Sequence, residues 1–261
     1  SGAYRSQNSG STWLPLGYSR GLTATHVSSV AFRSSSYKIV LLGTDSGIFR
    51  STNKGSTFTQ VLNSGYVDAL KMSSASANIG YAAYQTNWNS SNCSVYKTTN
   101  GGVTWSQKST NLPDGIHMLK FVLHPTDSDI LWGISGEGRF VSGPKNLYKS
   151  TNGGGIWTNF SPTINGRVMD FAIDSGNPHT LYITTYEENG QAPGAFWRST
   201  DNGTTWTKLA SNRSGVIWTS NTDPSRLRLI DVRTPFTWMP NEEGVWESNN
   251  GINWTKISSV S

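Results

Sequence analysis

Apolar residues fall in short runs that stop at Gly, Pro, Asn or Asp. Ile130–Ile134 and Thr180–Thr184 are typical, being β-branched or aromatic and bounded by turn formers. No stretch sustains the 3.6-residue apolar spacing of an amphipathic helix. The segment from Ser29 to Leu62 shows the unit that recurs. Ser29–Arg33 leads to a polar bend, then Lys38–Gly43, Gly47–Arg50 and Phe58–Leu62, which predicts four consecutive strands. A Pro or Asx turn often precedes the second strand, as in His124-Pro125-Thr126-Asp127, Asn177-Pro178-His179 and Thr222-Asp223-Pro224. The pattern predicts an all-β chain.

One eight-residue turn motif sets the period. Ser6-Gln7-Asn8-Ser9-Gly10-Ser11-Thr12-Trp13 recurs at 51–58, 98–105, 150–157, 199–206 and, most loosely, 247–254. The copies start 45, 47, 52, 49 and 48 residues apart. The key pairs are Asn8 and Trp13, Asn53 and Phe58, Asn100 and Trp105, Asn152 and Trp157, Asp201 and Trp206, and Asn249 and Trp254. An aromatic and a basic residue lead into five copies: Tyr4-Arg5, Phe49-Arg50, Tyr96-Lys97, Tyr148-Lys149 and Trp197-Arg198. The third-position carboxylate or amide can bond backbone N–H groups across a tight hairpin, the glycine takes a conformation other residues resist, and the aromatic packs on the turn. These residues read as scaffold. A calcium loop is a poor reading, since each copy offers at most one carboxylate.

The pattern S/T-x-D/N-x-G-x-x-W resembles the Asp-box of sialidase-like β-propellers, and the likeness spans the chain. It implies four-stranded antiparallel blades, with the boxes joining the third and fourth strands on the face opposite the usual binding site. The expected fold is one β-propeller domain over 1–261 with five complete blades, about 17–62, 63–110, 111–162, 163–210 and 211–261. A two-stranded half-blade, 1–16, precedes them, making a five- or six-bladed ring. The half-blade would leave an open edge, to be completed by further chain or by a partner.

Composition then narrows the classes. Charged residues are only 14%, which argues against a coiled coil or a charge-rich disordered chain. No apolar stretch is long enough to span a bilayer as a helix. A single cysteine, Cys93, excludes an internal disulfide framework and multi-cysteine zinc sites. The net charge of +5 comes from scattered Lys and Arg, so nucleic acid is not an expected partner. Six sequons, at Asn89, Asn92, Asn159, Asn202, Asn212 and Asn253, suit an exported protein. Neither a cofactor nor a metal site is expected. The four histidines show no ligand spacing and read as structural or solvated, and Cys93 has no motif partner.

With the boxes on one face, chemistry falls to the loops after the second and fourth strands of each blade. Tyr66, Trp88, Tyr186 and Trp238 suit stacking on sugar rings, and Arg139, Arg167, Arg213 and Arg233 could form a cationic patch. The carboxylates there are Asp45, Asp114, Glu137, Glu187, Glu188, Glu242 and Glu243. Glycoside hydrolysis needs two carboxyls, roughly 5–5.5 Å apart for retention or 6.5–9.5 Å for inversion. Thr44-Asp45-Ser46-Gly47-Ile48-Phe49-Arg50 resembles a T-D-x-G-x-x-R element of the family-74 xyloglucanases, in which that Asp is the catalytic base. Ser1-Gly2-Ala3-Tyr4-Arg5 and Trp13-Leu14-Pro15-Leu16 look like that family's first blade. That second likeness would put the family's Asp just before Ser1, and Thr-Asp-Ser-Gly also recurs in noncatalytic blades of such propellers; within the chain the resemblance makes Asp45 the candidate carboxylate, with Glu137, Glu187 or Glu242 as its partner. Family-74 enzymes divide acid and base between two facing propellers, however, and no sialidase Arg-Ile-Pro element occurs.

Three functions follow as expectations. The first is an exported propeller that binds a polysaccharide or glycoconjugate without catalysis. A family-74-type glycoside hydrolase, or a fragment of one, is the second. The third is a protein-binding scaffold, since sortilin-type receptors and photosystem assembly factors use similar repeats, although the sortilin type's cysteine-rich module has no counterpart here.

Overall fold

The computed structural model describes residues 2–63, 65–85, 93–109, 112–113, 116–137, 146–161, 167–186, 194–211, 215–219, 223, 226–231 and 244–258. It is all-β, a propeller of Asp-box blades, and its described residues contain no helix long and apolar enough to cross a membrane. A two-stranded sheet, β1 (Ala3–Arg5) and β2 (Leu14–Leu16), comes first. The first complete blade holds β3 (Val27–Arg33), β4 (Ser36–Thr44), β5 (Gly47–Ser51) and β6 (Thr59–Asn63). The second holds β7 (Tyr66–Met72), β8 (Gly80–Gln85), β9 (Cys93–Thr98) and β10 (Ser106–Gln107). In the third lie β11 (Ile116–Leu123), β12 (Leu131–Glu137), β13 (Asn146–Ser150) and β14 (Thr158–Asn159). The fourth is β15 (Arg167–Ile173), β16 (Leu181–Tyr186), β17 (Ala195–Ser199) and β18 (Thr207–Ser211). The fifth is β19 (Val216–Thr219), β20 (Leu227–Asp231), β21 (Gly244–Ser248) and β22 (Thr255–Ser258). Strand order in each sheet follows the chain, so every blade is an up-and-down meander.

The chain divides into two compact units, Ser1–Gly143 with Tyr148–Thr158, and Pro144–Leu147 with Asn159–Ser261. In the first, apolar clusters fill the spaces between successive sheets. Leu16 and Leu22 pack with Val40, Leu42, Phe49 and Phe58. Ala31, Leu41 and Ile48 of the first blade meet Val67, Leu70, Met72 and Ala82 of the second. Ala69, Tyr81 and Val95 of the second meet Met118, Phe121, Leu131 and Trp157 of the third. The second unit repeats this with Ala172, Tyr182 and Phe196 against Ile217, Leu227 and Leu229. Burial of apolar surface between sheets thus holds neighbours together, because each thin sheet has two faces to cover.

The boxes are one hydrogen-bonded device. In the copy at 51–58, Ser51 Oγ donates to Asn53 Oδ1 (2.8 Å), Gly55 N donates to Ser51 Oγ (2.8 Å) and Thr57 N to Asn53 Oδ1 (2.9 Å). Asn53 Nδ2 also donates to Thr57 Oγ1 at 2.8 Å. The Asp version reverses that last bond: Thr205 Oγ1 donates to Asp201 Oδ2 at 2.6 Å. A threonine hydroxyl both donates and accepts, which is why the turn tolerates either residue. The sixth copy corrects the reading of Asn249. Ser248 Oγ donates to Asn250 Oδ1, which accepts from Ile252 N and Asn253 N, and Gly251 N donates to Ser248 Oγ. This loop is one residue shorter between serine and glycine, so the amide moves to Asn250.

The glycines of the boxes also set the spacing of the blades. Gly102 has φ +83°, and a Cβ there would come within 2.6 Å of Leu41 in the preceding blade. Gly154, at φ +81°, would meet Val95 at 3.3 Å and Tyr81 at 3.5 Å. The basic residue ahead of the box ties the next blade in three copies. Arg5 Nη1 donates to Lys54 O (2.6 Å), Arg50 Nε to Gly101 O (3.0 Å), and Lys97 Nζ sits 2.6 Å from Asp129 Oδ1.

Candidate functional site

Boxes lie at the turns between third and fourth strands, so the second-to-third-strand turns lie at the other end of each sheet. Asp45 occupies such a turn, between β4 and β5. The Thr44-Asp45-Ser46-Gly47 segment builds it locally. Thr44, fully buried, donates from Oγ1 to Gly47 O (2.8 Å) and accepts from Ser46 N (3.1 Å). Gly47 has φ +110°, and a Cβ would lie 2.0 Å from Leu62 O, so glycine is required.

That turn presents the Asp45 carboxylate to donors. Oδ2 accepts from Thr25 Oγ1 (2.5 Å) and His26 N (3.1 Å), and Oδ1 accepts from Ser46 Oγ (3.2 Å). Asp45 N donates in turn to His26 O at 3.1 Å. Partial burial pushes the Asp45 pKa up, but the hydrogen bonds from Thr25, His26 and Ser46 outweigh it and leave the group below its ordinary value. Asp45 is therefore an ionised acceptor at neutral pH, suited to be a base or a hydroxyl acceptor and unsuited to donate a proton.

A second polar cluster lies at the equivalent end of the next blades. Gln85, the last residue of β8, is buried and donates from Nε2 to Asp68 Oδ2 at 2.5 Å and to His117 Nδ1. His117, also buried, is the second residue of β11. Asp68 is the extra residue of a bulge in β7, where pairing passes from Val67 directly to Ala69. Gln85 Nε2 can only donate, so Nδ1 of His117 is the acceptor in this contact. The adjacent Cys93 is driven up to about 12, first by burial and then by the charge of Asp68, so it stays a thiol.

No motif pointed to this cluster, because its members are 17 and 32 residues apart on separate strands. Superposing the bulges would have found it. The same extra position is Ser28, Asp68, Leu119 and Met169 in the first four blades, and Asp68 alone is charged. Ser28 Oγ uses the position to reach Gly43 O at 3.0 Å and Val67 O of the next blade. In the second unit the buried carboxylate is Asp170, whose Oδ2 accepts from Ile217 N at 3.0 Å.

Of the other candidates, Tyr66 starts β7, opposite Gln85 in the ladder. Arg167 starts β15, opposite Tyr186, which ends β16. Glu137 ends β12, opposite Ile116. Trp88, Asp114, Arg139, Glu187, Glu188, Arg213, Arg233, Trp238, Glu242 and Glu243 lie outside the described residues. Among the described residues no group of three or more His, Cys, Asp or Glu is placed to hold a metal ion.

Blades, boxes and their order define a propeller of the sialidase, GH74 and sortilin type. The Sortilin-Vps10 family model, described as "Sortilin, neurotensin receptor 3", matches residues 93–239, and the chain belongs to that family. The match runs through the repeats, so the likeness to the sortilin type rests on the propeller itself. A xyloglucanase of Paenibacillus sp is 31% identical over 123 residues, 44% of this chain and 12% of that protein. A xyloglucanase of Hypocrea jecorina (strain QM6a) is 28% identical over 172 residues, 63% of this chain and 18% of that protein. The chain thus spans less than a fifth of either relative. The crystal structure of an ancestral GH74 enzyme superposes with a TM-score of 0.73 at 20% identity, covering 100% of this chain and 36% of that one. The chain is a glycoside-hydrolase-like propeller.

Proposed function

We propose that this chain is a β-glucan-recognising module that works outside the cell, with a xyloglucan-type polysaccharide crossing the loop face and Asp45 as its catalytic base. The reading rests on the Asp45 turn, a partly exposed carboxylate kept ionised by three donors. A base of this kind takes a proton from water while a second carboxyl protonates the leaving oxygen. Glu137, Glu187 and Glu242 are the acids proposed within the chain, and a facing propeller of a longer polypeptide is the other source. Tyr66, Trp88, Tyr186 and Trp238 would stack on sugar rings, and Arg139, Arg167, Arg213 and Arg233 would bond hydroxyls. The xyloglucanase relatives support the substrate class.

Xyloglucan binding and reducing-sugar release, measured on the chain and on Asp45→Asn, test this. The chain should bind and release sugar, and the variant should still bind while losing about 10²–10⁴-fold in rate. Equal rates would remove Asp45 from the chemistry. Binding with no release by either protein would leave a glycan-binding propeller, and no binding at all would overturn the reading.

A further inference from the structure

Charge is uneven along the chain. Residues 1–67 hold six Lys or Arg and one acid, Asp45, and so carry the whole net charge of +5, while the other 194 residues hold fifteen of each sign. The fold then sorts these charges by end. Arg33 closes β3, Lys38 lies near the start of β4, Arg50 is the last but one residue of β5 and Lys54 sits in the box, all at the box end of the first blade. Asp45 is at the opposite end. Among the described residues no carboxylate pairs with any of these four cations.

The repeat has a place for a counter-ion, and the first two blades do not use it. In the third blade that place is Asp129, which neutralises Lys97. Its carbonyl accepts from the N–H of the fourth box residue, Gly153, as Asn78 O accepts from Gly101 N and Lys38 O from Lys54 N, each at 2.9 Å. The carboxylate of the third blade is thus an amide in the second and a further cation in the first. Arg33 donates from Nε to Ala77 O (3.1 Å) and from Nη2 to Asn78 Oδ1 (2.5 Å), and Arg50 Nε donates to Gly101 O (3.0 Å). A Cβ on Gly101 would lie 3.4 Å from Arg33 Nε, so the two guanidinium groups flank this one glycine. Their oxygen partners fix the planes without neutralising the charge. Burial and then the charge of Arg33 lower the Arg50 pKa, as like charges without a counter-ion do. Beyond these bonds Arg33 keeps three N–H groups and Arg50 four, enough to grip carboxylates by two bonds each.

We infer that the box end of the first blade binds an acidic polysaccharide, with the carboxylates of uronic-acid residues taken by Arg33 and Arg50 and the exposed Lys38 and Lys54 extending the track. Guanidinium groups held in plane match the flat carboxylate, and cations spread over one sheet end suit a polymer better than a single ion. The choice of a sugar polymer among polyanions rests on the carbohydrate reading of the loop face, whereas the cationic site itself does not. The chain would then hold two glycans, a neutral one at the loop ends and an acidic one at the box end.

Calorimetric titration with polygalacturonate at low and high salt tests this, with xyloglucan titrated into the same proteins. The chain should bind polygalacturonate, and more weakly at high salt. Arg33→Gln with Arg50→Gln should weaken binding roughly tenfold or more. Lys38→Gln with Lys54→Gln changes only exposed side chains, which keeps folding out of the result, and should weaken binding roughly threefold. Lys108→Gln with Lys208→Gln removes as much charge elsewhere and should change nothing. Xyloglucan binding should be the same in all four proteins. No binding of polygalacturonate would overturn the inference, and so would equal losses from the Lys108 and Lys208 pair. Equal affinity for dextran sulfate or single-stranded DNA would also overturn it, since bare charge would then suffice. Polygalacturonate binding without xyloglucan binding would strike the proposed function and leave this site standing.

Discussion

Two copies of the same turn, at 6–13 and at 150–157, share their serine, amide-oxygen and glycine hydrogen bonds and meet different fates. Ser6 Oγ and Ser150 Oγ each donate 3.0 Å to the asparagine Oδ1, and Gly10 N and Gly154 N donate back to the serines at 2.7 and 3.0 Å. Yet Trp13 is 60% exposed and Trp157 is 4% exposed, its indole N–H donating to Gly154 O at 3.0 Å. The turn is specified within eight residues, whereas the tryptophan's burial is conferred by a neighbouring blade. Trp157 stacks near Phe121 and joins a cluster that includes Tyr81 and Val95. A Cβ on Gly10 would meet nothing nearer than its own Trp13 ring at 3.9 Å.

Removing the two tryptophans should separate these contributions most widely. Trp157→Ala should lower unfolding free energy by about 3–5 kcal/mol, because a buried aromatic leaves a cavity. Trp13→Ala should cost less than about 1 kcal/mol, the range of surface changes. Urea midpoints on both variants check this, and equal losses would mean that the turn needs its aromatic for local reasons.

The glycines give a smaller gap. Gly10→Ala and Gly154→Ala both place an alanine at positive φ, which costs about 1–2 kcal/mol at either site. Gly154→Ala must also push Val95 and Tyr81, and should lose about 1 kcal/mol more in the same measurement.

Acid gives the finest contrast, between Asn152 and its counterpart Asp201. Hydrogen bonds from Thr205 and Ser199 hold the Asp201 pKa down at about 2, from an ordinary 3.8. A depressed pKa contributes stability that is present above about pH 4 and is lost as pH falls towards 2. Asp201→Asn should remove that part of the acid dependence, while Asn152→Ala should leave it in place. Urea midpoints between pH 2 and 5 read the difference.

The repeat made the architecture legible because its information is local: serine, asparagine, glycine and tryptophan at fixed spacing close a turn by themselves. The motif spacing points to Asn249 because a one-residue deletion hides in a run of two asparagines, and only the bonds to Asn250 expose it. Thr44-Asp45-Ser46-Gly47 could be found for the same local reason. Asp68, Gln85 and His117 could not, since their meeting depends on a bulge and on the register between two blades. The basic residues before the boxes carried a visible pattern without a visible partner, and Arg5, Arg50 and Lys97 find theirs on the next blade.

The asparagines also bear on how the protein ages. Asn100-Gly101 and Asn152-Gly153 are Asn-Gly pairs, whose deamidation begins when the glycine nitrogen attacks the asparagine side-chain carbon and ammonia leaves. In the folded chain that nitrogen is committed: Gly101 N donates to Asn78 O and Gly153 N to Asp129 O, both at 2.9 Å. The two side chains are held as well, Asn100 Oδ1 accepting from Thr104 N and Asn152 Oδ1 from Ile156 N. Folding therefore slows a chemical clock that starts once a blade opens, and accumulated deamidation at these two sites would record how often the blades come apart.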